Sequence, residues 1–99
     1  MERTSPEILT VLQQNRDTLR GFGVRRLGLF GSCARGEHTT SSDLDFVVEL
    51  QAKSFDTYMG LKFFLEDLFG CSVDLVLEHT IKSRLRPHIM EDLIDVPGL

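Results

Sequence analysis

Apolar positions along the chain change period several times, and each change predicts the border of an element. Ile8, Leu12 and Leu19 fall on one helical face, entered either by Ser5 as N-cap with Pro6 at N1 or by Thr4 and Glu7 as a capping box. Gly21 and Gly23 end that helix. Residues 25–30 then alternate, with Leu27 and Leu29 in step, and predict a short strand that runs directly into Gly31-Ser32. Polar residues 37–42 interrupt the pattern. Residues 44–50 (LDFVVEL) are rich in β-formers and set Phe46 and Val48 on the face opposite Asp45 and Val47.

In the second half, Tyr58, Leu61, Leu65 and Leu68 recur at spacings of three and four, which predicts a helix over residues 56–69 with Gly70 as its C′ glycine. Residues 72–78 (SVDLVLE) alternate again: Val73, Leu75 and Leu77 point one way, Asp74 and Val76 the other. Arg86-Pro87 marks a break, and a last helix is expected over residues 87–94, with Ile89, Met90, Leu93 and Ile94 apolar. The order αβαβαβα describes an α/β (α+β) fold, a small mixed sheet flanked by helices, in one domain over residues 1–99.

Composition acts mainly by exclusion. Ninety-nine residues make one domain of modest core, and no apolar run is long enough to span a membrane. Asp and Glu number 15 against 11 Lys and Arg, a formal net charge of −4. That balance argues against direct nucleic-acid binding, which needs a basic surface, so any phosphate must be held locally. Cys33 and Cys71 form no C-x-x-C pair and suggest neither a disulfide framework nor a zinc site, so a reducing cytoplasm is the expected setting. Met1 reads as the true start, since no signal-peptide order follows it.

Candidate chemistry concentrates in Gly31-Ser32-Cys33-Ala34-Arg35-Gly36 and Ser42-Asp43-Leu44-Asp45. Gly31 and Ser32 stand where a strand ends and a helical turn is expected, so backbone N–H groups and the Ser32 hydroxyl can converge on a phosphate. Asp43 and Asp45, two apart in a strand, project from one face with Cα atoms about 6.5–7 Å apart. Two such anions repel unless a divalent cation joins them, and hard oxygen ligands select magnesium or manganese. Asp74 lies two residues before Val76 as Asp45 lies two before Val47, so a neighbouring strand can bring a third acid to the pair. Taken singly, Gly31-Ser32 is an ordinary turn, Asp43 a cap and Asp74 an exposed strand residue. Together they point to displacement at a nucleotide phosphate, where positioning and charge neutralisation supply most of the catalysis.

These residues resemble the minimal nucleotidyltransferases, small members of the polymerase-β-like nucleotidyltransferase superfamily. The signature Gly-Ser, ten residues, Asp-x-Asp is met by Gly31-Ser32, residues 33–42 and Asp43-Leu44-Asp45. Its extended form is met by Ala34, Arg35, Gly36, Glu37 and Ser42, and Val73-Asp74-Leu75-Val76 resembles the strand of the third carboxylate. The likeness spans about residues 27–94. It implies the polymerase-β-like fold, with Gly31 and Ser32 on the triphosphate and Arg35 and Ser42 beside it. It also implies two Mg2+ ions held by Asp43, Asp45 and Asp74, with Asp74 helping to deprotonate the acceptor. The implied reaction moves AMP from ATP to a hydroxyl of a partner protein, expected to be a tyrosine, and the implied role is antitoxin to a HEPN-type ribonuclease toxin. The alternative is a non-catalytic antitoxin that neutralises its partner by steric capture.

Size adds that a second, acceptor-presenting domain has no room, which favours a protein acceptor with its own surface, docked by charge. Other residues are read more plainly. Lys82, Arg84, Arg86 and His88 read as a solvated edge, and His38, His79 and His88 as surface residues. Arg35 serves equally as a phosphate ligand or as a brace for its loop. Phe63, Phe64 and Phe69 give the second long helix more apolar girth than one core stripe needs, which leaves room for a homodimer or hetero-oligomer beside the core explanation.

Overall fold

A computed structural model describes residues 5–31, 44–51 and 54–99, apart from the side chains of Ser5 and His88. Ile8, Leu12 and Leu19 are fully buried on one side of two short helices, α1 (Ser5–Gln14) and α2 (Arg16–Gly21). The sequence pattern reads these as one helix, and Asn15 explains the break. Its side-chain Nδ2 donates to the Val11 carbonyl at 2.8 Å, the acceptor an unbroken helix would reserve for the Asn15 backbone N–H, which bonds to Leu12 instead.

Among the described residues, four strands form one mixed sheet in the order β3-β2-β1-β4. β1 (Val24–Phe30) pairs antiparallel with β2 (Leu44–Leu50), and β2 pairs parallel with β3 (Val73–Leu77). α3 (Phe55–Phe69) makes the crossover between the parallel strands and ends at Gly70, whose φ of +66° supplies the left-handed turn that favours glycine. The alternation read from the sequence sets the faces. Leu44, Phe46, Val48 and Leu50 of β2, with Val73 and Leu75 of β3, are buried against Leu61, Leu65 and Phe69 of α3. Phe46 and Phe69 stack with centroids 6.1 Å apart.

The last part of the chain departs from expectation. A 3-10 turn (Glu78–Thr80) leads to α4 (Arg86–Asp92), which stops two residues before the predicted end. Ile94–Asp95 instead forms β4, paired with Gly28 and Leu29 of β1, and the Val96 N–H donates to the Leu27 carbonyl at 2.8 Å. A fourth strand is therefore added to the expected order, and its partners, Gly28 for Asp95 and Leu29 for Ile94, lie 67 and 65 residues away in sequence, outside any local pattern. Gly28 makes this possible, because a Cβ there would collide with the Leu93 side chain. The class is as the sequence implies, an α/β mixed sheet flanked by helices. The helical turn expected after Gly31 lies outside the described residues. Among those described, no helix is long and apolar enough to cross a membrane.

Candidate active site

The face of the sheet turned away from α3 carries the polar residues. β1 ends at Phe30, and Gly31 follows at φ +79°, a conformation that strongly favours glycine. A Cβ on Gly31 would also run into the Asp45 carboxylate, with Asp45 Cγ 3.1 Å and Cβ 3.3 Å away. The start of the expected phosphate turn therefore lies directly against the Asp45 side chain. Asp45 is in register with Phe30 on one side and with Asp74 on the other.

The parallel register brings two of the predicted acids together. Asp45 and Asp74 are direct partners on adjacent strands, which places their backbones about 4.8 Å apart with side chains on the same face. Asp45 is half-buried and Asp74 exposed. At about 5 Å, two carboxylates repel by roughly 1–3 kcal/mol between a water-like and a surface-protein dielectric. No basic side chain lies within ion-pair distance of Asp74 among the described residues. Hard oxygen donors side by side, with a glycine closed against one of them, fit a magnesium or manganese ion. Asp43, Ser32, Arg35 and Ser42 lie outside the described residues, as does Cys33.

Acids at the other end of the same face each lie beside an arginine. Arg26 donates to both Asp95 oxygens at 2.9 and 3.1 Å and to Glu78 at 2.8 Å. Hydrogen bonding to Asp95, with the nearby charges of Asp95, Glu78 and Glu49, raises the Arg26 guanidinium above its ordinary value against the cost of burial. Arg25 lies 3.9 Å from Glu49, and Arg86 lies 4.0 Å from Glu78 and donates to its carbonyl at 3.1 Å. Arg25, Glu49, Glu78, His79 and Arg86 line a cavity of about 500 Å³. Lys82, Arg84 and Arg86 are all exposed as expected, and Arg86 is in addition tied to the 3-10 turn. Sequence reasoning did not single out Arg26 as the hub, because its partners lie 52 and 69 residues away and leave no local signal.

Comparison with known proteins gives the chemistry a family. The nucleotidyltransferase domain family model matches residues 7–96. Protein adenylyltransferase MntA of Thermococcus cleftensis is 36% identical over 95 residues, covering 94% of this chain and 96% of that protein. A solved structure provisionally named a minimal nucleotidyltransferase superposes with a TM-score of 0.71 at 34% identity, covering 87% of this chain and 93% of the other. The fold is also that of a Shewanella oneidensis complex of a tri-AMPylated HEPN toxin with its MNT antitoxin, with a TM-score of 0.59 at 18% identity over 88% of this chain and 72% of that one. The chain therefore belongs to the nucleotidyltransferase domain family, and within it to the minimal type represented by the MntA protein adenylyltransferases.

Proposed function

We propose that the chain is a Mg2+-dependent nucleotidyltransferase that moves AMP from ATP to a tyrosine hydroxyl of a partner protein, and that it thereby acts as the cytoplasmic antitoxin of a HEPN-type ribonuclease toxin. The observation that carries this reading is the register of Asp45 beside Asp74, with Gly31 closed against Asp45. The relatives support it: the Thermococcus protein is named for protein adenylylation, and the toxin in the Shewanella complex is AMPylated while bound to its antitoxin. In this reading Asp43, Asp45 and Asp74 hold the ions, and Gly31 and Ser32 receive the triphosphate with Arg35 and Ser42 beside it. In the same reading Asp74, which is exposed and in register with Asp45, draws the proton from the attacking hydroxyl. The new bond forms between that oxygen and the α-phosphorus as the bond to pyrophosphate breaks. Divalent ions, when bound, neutralise charge on the phosphates and the attacking oxygen.

The test is a mass measurement on the partner toxin co-purified with this chain and incubated with ATP and Mg2+. Transfer adds about 329 Da per AMP. Asp45→Asn, which removes a ligand charge at nearly constant volume, is expected to abolish that gain while circular dichroism stays unchanged. A toxin that is neutralised with no gain in mass would instead mean steric capture.

A further inference from the structure

The carboxyl ends of the two parallel strands carry a second group of charges that the proposed transfer does not use. Glu49 lies four residues after Asp45 on β2, about 13 Å from the candidate active site. Around it, Arg25, Glu78, His79 and Arg86 complete the lining of the cavity of about 500 Å³. A neighbouring cavity of about 350 Å³ is walled by Phe55, Tyr58 and Leu77. Leu50 and His79 line both, so the two adjoin as a charged chamber beside an apolar one. Chambers of this size, outside the carboxyl ends of parallel strands, are where open α/β sheets commonly take small ligands.

The charged chamber is equipped for an oxyanion. Glu78 is already engaged by Arg26, which donates to it at 2.8 Å from outside the cavity. Arg86 is left 4.0 Å from that carboxylate, beyond hydrogen-bond reach, while its Nη2 donates to the Glu78 carbonyl at 3.1 Å and holds the guanidinium in place. Arg25 is likewise 3.9 Å from Glu49. Both arginines therefore keep most of their N–H donors for a ligand, and the guanidinium fork matches the geometry of phosphate. Glu49 can accept from hydroxyls, which a sugar supplies. In the apolar chamber the Tyr58 hydroxyl is spent on the Leu75 carbonyl at 2.6 Å, so its ring, like that of the exposed Phe55, offers carbon surface suited to a flat base. We propose that these adjoining chambers bind a nucleoside monophosphate, its phosphate on Arg25 and Arg86 and its base beside Phe55 and Tyr58. The site shares no residue with Gly31, Asp45 and Asp74, so it stands apart from the transfer reaction. Its carboxylates already lie beside arginines, and it needs no divalent ion.

Amide NMR shifts of the isotope-labelled full chain, titrated in EDTA with AMP, adenosine and inorganic phosphate as separate probes, test this. AMP should bind with a Kd of about 1 mM or tighter and move the amides of Glu49, Leu50, Glu78 and His79. Adenosine and phosphate should each bind at least about tenfold more weakly, because each fills one chamber only. Arg25→Gln and Arg86→Gln should each weaken AMP about tenfold, through the loss of a charge-assisted hydrogen bond, whereas Asp74→Asn should leave its affinity unchanged. Phe55→Ala should weaken AMP and leave phosphate as it was. No shift up to about 10 mM AMP, shifts confined to the surroundings of Asp45 and Asp74, an affinity indifferent to Arg25→Gln, or phosphate alone binding as tightly as AMP would overturn the proposal. The Arg25 side chain is 65% exposed, so its substitution keeps the test decisive even if Arg86→Gln loosens α4.

Discussion

Gly31 and Asp74 illustrate how single residues divide between folding and chemistry. Gly31 is fixed twice over, by a φ of +79° and by the Asp45 carboxylate occupying the space of a Cβ. Gly31→Ala is expected to destabilise the chain by about 1–2 kcal/mol through the backbone alone and, by displacing Asp45, to abolish transfer. Denaturant unfolding and the mass assay read the two effects separately. Asp74 makes the opposite case, since it is exposed and beside a like charge. Asp74→Asn should leave metal-free stability unchanged or slightly higher while removing the response to metal. If the pair binds Mg2+ at about 1 mM, then 10 mM Mg2+ stabilises the wild type by about 1.4 kcal/mol, and a thermal melt of Asp45→Asn or Asp74→Asn should show a smaller shift. An equal shift in all three chains would place the ion elsewhere.

At the scale of elements, α3 does two jobs that periodicity only half reveals. Its buried stripe was legible because Leu61 and Leu65 recur at a helical spacing. Its service to the sheet edge was not. β3 is an edge strand, and its outward backbone groups are taken up by side chains: Tyr58 donates to the Leu75 carbonyl at 2.6 Å, Glu66 accepts from the Val73 N–H at 3.1 Å, and Thr80 donates to the Leu77 carbonyl at 2.8 Å. This blunts an edge that would otherwise pair with another chain. Tyr58→Phe keeps the ring and removes one such bond, so unfolding should become easier by about 1 kcal/mol in a denaturant titration. The same division between local and distant signals explains the other outcomes. β1 and β2 were legible from alternation, and the end of α3 from Gly70. β4 was not, because Ile94 and Leu93 fit a helical period equally well and only pairing with Gly28 and Leu29 decides the matter. The break at Asn15 depends on one side-chain amide competing for a carbonyl, which composition does not announce. Of the site, Gly31, Asp45 and Asp74 were found from spacing and strand phase, which a parallel register then turns into contact distance.

Among the described residues of the sheet, Arg25, Arg26 and Arg86 lie beside Glu49, Glu78 and Asp95 at one end, and Asp45 and Asp74 sit side by side at the other, in a chain of net charge −4. An acidic face of this kind repels a free nucleoside triphosphate until divalent cations compensate it, and it attracts a basic protein surface. Exposed charges separated by more than the Debye length, about 10 Å at 0.1 M salt, lose their long-range attraction as salt rises, while contacts already made are screened much less. If the partner is steered by charge, raising salt from about 50 mM to about 500 mM should slow its association with this chain about tenfold or more and leave dissociation nearly unchanged. Surface-binding kinetics at several salt concentrations read both rates. In a preformed complex the rate of AMP transfer should then be nearly independent of salt, because the acceptor hydroxyl no longer has to find the site. An association rate insensitive to salt would instead assign recognition to apolar contact, and the acidity of the chain would serve only to hold metal.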